Sequence, residues 1–229
     1  MSELVTLLAD VVPIALVAAI SPTTFTVVIL LLSLSKKPKT SGVGFLAGSI
    51  IVMLVAVLLG FLAAKGASFV TGGNSSPLRE LIDVLLGFIL LFFAMKISFQ
   101  KDNNPMKLET PQEERSSASE FGGSMLLAMG MFAINFITTI LVIYASSQIA
   151  ISIVNWPGKT ISLILLVIIT LLLVEIPLLI CFLVPKKANK ILSQINAWIQ
   201  KHGQYLTAGL LLILGFYLIH KGSGILNWI

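Results

Sequence analysis

Residues 4–34 read LVTLLADVVPIALVAAISPTTFTVVILLLSL. This apolar run is half again as long as the roughly 20 residues that cross the hydrocarbon core of a bilayer. Near its middle stands Ser21-Pro22, and Pro13 comes earlier. Pro22 has no N–H to give a helix, and it disfavours helical geometry at Ser21. The run is therefore expected to tilt steeply or to break. A break frees backbone polar groups that lipid cannot satisfy, so it must face protein or a water-filled cavity. Glu3 and Asp10 stand ahead of the apolar core and the first basic residue is Lys36, which reads against a signal peptide.

Outward from this run, five more apolar segments follow, at 42–64, 78–99, 121–151, 160–184 and 205–226. Each is long enough to read as a spanning helix. The fourth, 121–151, is over-long like the first and carries Asn135 in the matching place. The composition agrees. Of 229 residues, 57% are hydrophobic and only 11% charged, against about 25% charged in an ordinary soluble domain. Mean hydropathy is +1.01. So little polar surface cannot coat a water-soluble particle, which argues against a soluble enzyme, a disordered chain or a coiled coil.

The net charge of +5 reads first as a topology signal rather than as a nucleic-acid footprint. With six spans, one side of the membrane holds Lys36, Lys37, Lys39, Lys96, Lys101, Lys107, Arg115, Lys186, Lys187, Lys190 and Lys201. The other holds Lys65, Arg79, Lys159 and Lys221. The richer side is expected in the cytoplasm, with both termini outside, in the cytoplasmic (inner) membrane of a prokaryote. The polar stretch 101–120 reads as a mobile cytoplasmic linker. In 186–202, Ile191, Leu192, Ile195, Trp198 and Ile199 recur at helical spacing. This is an amphipathic helix that either lies at the membrane surface or caps the bundle.

The two halves of the chain echo each other. Ser21-Pro22-x-Thr24 resembles Asn135-Phe136-x-Thr138, Pro38-Lys39-Thr40 resembles Gly158-Lys159-Thr160, and Gly87-Phe88-Ile89-Leu90 resembles Gly215-Phe216-Tyr217-Leu218. The order is kept on corresponding spans, which predicts a duplication with residues 1–100 as one three-helix repeat and 121–229 as the other. An odd number of spans per repeat makes the second half enter from the opposite side, so the repeats are inverted. Secondary transporters use that plan, with sites near the midplane on interrupted helices. The expected substrate or translocation residues are Ser21, Pro22, Thr23, Thr24 and Thr26, facing Asn135, Thr138 and Thr139. Any one of them alone is more simply hydrogen-bonded glue between helices.

Glu175 reads as the only acidic residue deep within a span. A charged carboxylate there costs on the order of 3 kcal/mol or more, so it is expected protonated, paired or hydrated. Its functional reading is a proton- or cation-coupling site; its plain reading is a bond to a neighbouring helix. One cysteine, Cys181, cannot form an intramolecular disulfide, and two histidines, His202 and His220, do not make a metal cluster. Catalytic residues, metal and cofactor are all expected absent.

Several motifs together resemble the GAP family, also called Sap, the sulfolipid- and glycopeptidolipid-addressing proteins within the LysE superfamily. They are Ala19-Ile20-Ser21-Pro22, Gly42-x-Gly44-Phe45-Leu46-Ala47-Gly48, Ala133-Ile134-Asn135-Phe136, Glu175-Ile176-Pro177 with Val184-Pro185, and Leu214-Gly215-Phe216-Tyr217-Leu218 followed by Lys221-Gly222. The resemblance covers nearly the whole chain. It implies a six-span all-α membrane protein among small-solute exporters, in a branch linked to moving envelope lipids outward. The family usually has Asn-Pro where this chain has Asn135-Phe136, which predicts a softer second break. Glu175 does not look like a family residue.

The expectation for function is a membrane exporter of a small solute or envelope lipid, not an enzyme. Its partners would be membrane lipids and that substrate, with self-association left open and nucleic acid excluded. The alternative is a non-transporting scaffold or accessory subunit of envelope-lipid export.

Overall fold

In the computed structural model, which describes residues 2–70, 76–99 and 117–223, the described chain is all helix. The helices are α1 (Ser2–Ala19), α2 (Pro22–Leu34), α3 (Pro38–Val70), α4 (Ser76–Phe99), α5 (Ser117–Ile134), α6 (Phe136–Ile151), α7 (Trp156–Leu183) and α8 (Pro185–Gly222). Four of them are long and apolar enough to cross a bilayer, and there are six spans if each bent pair counts as one. Those pairs are α1 with α2, bent by 55°, and α5 with α6, bent by 78°. They are the two over-long segments of the sequence.

Only about a third of each long span is buried within the protein, 33% for α3 and α7. Leu54, Leu58, Leu62, Phe88, Phe92 and Ile164 stand exposed on the outside. A belt of this composition is suited to lipid rather than water. With no hydrophobic drive between helices in lipid, close packing of small residues holds a bundle together. That is what α3 provides. A Cβ added at Gly44 would lie 2.5 Å from the Phe121 carbonyl oxygen of α5, and at Gly48 it would strike the Met125 carbonyl oxygen. Further along, a Cβ at Gly60 would strike Ser146 and the Ile143 carbonyl of α6. One continuous helix thus backs both arms of the second bent pair.

A second close helix pair is α4 with α8. A Cβ at Gly87 would sit 2.8 Å from the Gly215 carbonyl oxygen, and one at Gly215 would sit 3.0 Å from the Gly87 carbonyl oxygen. Leu90 and Leu218 are buried beside them. On the other flank α1 packs against α7, whose first turn is capped by Asn155 accepting from the Gly158 N–H at 3.1 Å.

Two expectations change here. The stretch 186–202 is not a separate surface helix but the first half of α8, continuous with the sixth span. Ala188 and Leu192 are buried, Ile195 and Ile199 pack on the core, and Asn196 accepts a hydrogen bond from Thr26 of α2 at 3.1 Å. Its apolar stripe therefore meets protein, and at ~57 Å contour length α8 outreaches the hydrocarbon core. The linker 101–120 lies outside the described residues up to position 116; from Ser117 the chain is already α5.

Candidate functional site

Ser21 ends the first arm by an ordinary helix start. Its hydroxyl oxygen accepts from the Thr24 N–H at 3.3 Å and from the Thr24 hydroxyl at 2.8 Å. Pro22 occupies the first turn of α2, where the missing N–H costs nothing. The second break has no such cap: the Asn135 side chain makes no capping bond to α6. Instead its Nδ2 crosses to the first break, donating to Ser21 Oγ at 3.1 Å and Thr24 Oγ1 at 3.4 Å. The Thr138 hydroxyl donates to the Ala18 carbonyl at 3.0 Å, which answers a carbonyl left over at the end of α1. Thr139 does the same within its own segment, donating to Phe132 at 2.9 Å.

The breaks therefore meet, and the sequence-predicted residues divide. Ser21, Thr24 and Asn135 share one set of hydrogen bonds, and Thr138 crosses beside them to the Ala18 carbonyl, with Thr24 and Thr138 each only 3% exposed. Thr139 stays local to its own break. Pro22 abuts α8, where a Cβ on Gly203 would lie 2.7 Å from the proline Cγ. Thr26 turns away to Asn196, and Thr23 is exposed.

Glu175 is half-buried in α7 and makes no hydrogen bond or ion pair among the described residues. It is also not the only acid within a span. Asp83 of α4 is 3% exposed and accepts from the Tyr144 hydroxyl of α6 at 2.7 Å. In sequence Asp83 follows Arg79 and Glu80 and looks like part of an interfacial head; in the fold α4 begins at Ser76 and carries it against α6. Asp10 of α1 is the hub of a second contact. It accepts from the Tyr217 hydroxyl at 2.6 Å and pairs with Lys221 at 3.0 Å, both on α8. Asp10 and Tyr217 lie within electrostatic reach of Tyr144. The available signal was the tyrosines: Tyr144 and Tyr217 sit well inside apolar spans, where a phenol hydroxyl usually needs a partner.

Beyond this cluster a surface cleft of about 280 Å³ opens between the N-terminal end of α1 and the C-terminal end of α6. Glu3, Thr6, Leu7 and Asp10 line one wall, Gln148 and residues 151–154 the other. Among the described residues, no group of His, Cys, Asp and Glu is arranged to hold a metal ion.

No curated protein and no solved structure matches the chain. A family model described as Sap, sulfolipid-1-addressing protein, matches residues 11–224, which takes in both breaks, the glycine seams and the Asp83–Tyr144 pair and begins one residue after Asp10. With nearly its whole length matched, this multi-pass helical membrane protein belongs to the Sap family.

Proposed function

We propose that this protein moves an amphiphilic envelope lipid, or a small solute of similar polarity, outward across the cytoplasmic membrane. It does so as a LysE-type exporter and not as an enzyme, and the paired helix breaks are its working centre. The observation that carries the reading is the contact of Asn135 with Ser21, both half-buried, which sets two interrupted spans against each other. Interrupted helices meeting within a bundle are how secondary transporters build sites. The family's name points to an envelope lipid as the cargo.

The reading includes a 3+3 inverted repeat, residues 1–100 and 121–229, with both termini outside. Two contacts support it. Gly87 with Gly215, and Ser21 with Asn135, are each a residue touching its own counterpart in the sequence repeat, as happens beside a two-fold axis. Glu175 is the coupling acid in this scheme. Glu175→Gln keeps the shape of the neutral acid but cannot release a proton, so it should abolish flux driven by a pH gradient while leaving insertion intact.

The alternative is a non-transporting accessory subunit, favoured by the way the centre's polar groups satisfy one another directly. The two readings separate in proteoliposomes carrying a fluorescent-headgroup anionic phospholipid, with an impermeant quencher added outside. Transport predicts faster loss of inner-leaflet fluorescence with the protein than without. Equal rates across phospholipid and small-solute probes would favour the accessory role.

A further inference from the structure

The cleft, the tyrosine–aspartate cluster and the helix breaks lie in sequence along one seam, between α1 and α6. On α1, Glu3, Leu7, Asp10, Ile14 and Ala18 recur at helical spacing. The first three line the cleft, Ile14 is 1% exposed, and the Ala18 carbonyl is bonded to Thr138. On α6 the run in the opposite direction is Gln148 in the cleft wall, Tyr144 on Asp83, then Thr138 at the centre. From Asp10 to Ala18 is ~12 Å along α1, and from Tyr144 to Thr138 ~9 Å along α6. The cleft stops at Asp10.

At this level each wall of the seam is tied to a helix from the other half of the chain, and neither tie runs directly from α1 to α6. Tyr217 and Lys221 of α8 hold Asp10 of α1, and Tyr144 of α6 holds Asp83 of α4. Such bonds do not stabilise either half alone. They keep the halves together at one end, while the centre is held separately by Asn135 and Thr138.

We propose that Asp10 with Tyr217 and Lys221, together with Asp83 and Tyr144, is a gate that closes the outer end of the α1–α6 seam. When the bonds part, the cleft extends past Ile14 to the paired breaks. This rests on the transporter reading above for its purpose, but not for its test. Two-state gates of this kind are moved by a few hydrogen bonds, because one charged or buried bond is enough to change an open population by about tenfold.

The test places a reporter, Ile14→Cys, on a Cys181→Ser background in the full-length chain. Membrane vesicles of both orientations are treated with a charged, impermeant thiol reagent. With the gate intact, labelling is slow from either face. Tyr144→Phe with Tyr217→Phe, which removes only two hydroxyls, should raise labelling about tenfold from the Asp10 face and leave the opposite face unchanged. Asp10→Asn should act in the same direction, and melting of the purified protein in detergent reports whether each variant is folded. Fast labelling of the unaltered gate, or an unchanged rate in folded gate variants, would overturn the proposal whatever the flux assay gives. Faster labelling without lipid or solute flux in any variant would keep the gate and remove the transporter reading.

Discussion

The two broken spans solve one problem in different ways. At the first, everything needed is local: Ser21 caps α2, Pro22 fills the position that needs no N–H, and the bend is 55°. At the second there is no proline and no side-chain cap, yet the bend is sharper, 78°. Missing proline therefore does not soften this break. Its shape comes from tertiary contacts, with Asn135 reaching Ser21, Thr138 reaching Ala18, and α3 pressed against both arms through Gly48 and Gly60. The first break is written in its own residues. The second is imposed by its neighbours.

This contrast can be broken by experiment. The largest effect is expected at the backing helix. Gly60→Val forces a side chain into Ser146 and a backbone carbonyl that cannot move aside, so it should destabilise the bundle by about 3 kcal/mol. Thermal unfolding in detergent measures it, and a silent Gly60→Val would mean that α3 does not hold the bend. Next come the break residues themselves. Asn135→Ala removes both cross-break donations and should cost about 2 kcal/mol, and Ser21→Ala, which removes the cap, the Thr24 hydroxyl's acceptor and one of those cross-break bonds, should cost about the same. A Ser21→Ala loss far above the Asn135→Ala loss would say that the cross-break bonds add little to the local cap.

How much of this was readable in advance follows from the same division. Over-long apolar runs, Ser21-Pro22 and the position of Asn135 are visible because length and proline act on nearby residues. The sharper bend at Asn135 was not, because its causes sit far away in the sequence, in Ser21 and Ala18 and on α3. Asp83 was missed for the same reason: its partner Tyr144 belongs to another helix, and only the fold brings the two within 2.7 Å. The stretch 186–202 was ambiguous because an apolar stripe looks the same whether it meets lipid or α2. Four of the eight predicted substrate residues form the centre; Thr23 and Thr26 do not, since the rotation of α2 about its axis is set by packing with α8.

The smallest effect is expected from restoring the proline that the family usually carries. Phe136 is the first residue of α6 and 61% exposed. A proline at this position of a helix gives up an N–H that the helix does not use. Phe136→Pro should change stability by less than about 1 kcal/mol. A large loss would show that the second break depends on the Phe136 N–H or ring, and that its geometry differs from that of the first in kind.

The most direct measurement joins the two breaks covalently. Ser21→Cys with Asn135→Cys, on the Cys181→Ser background, replaces a side-chain contact of 3.1 Å by two thiols. The account predicts that mild oxidation forms the disulfide in the membrane, that flux in proteoliposomes then stops, and that a reductant restores it. A disulfide that forms readily while flux continues at the unlinked rate would contradict the claim that the paired breaks are the working centre.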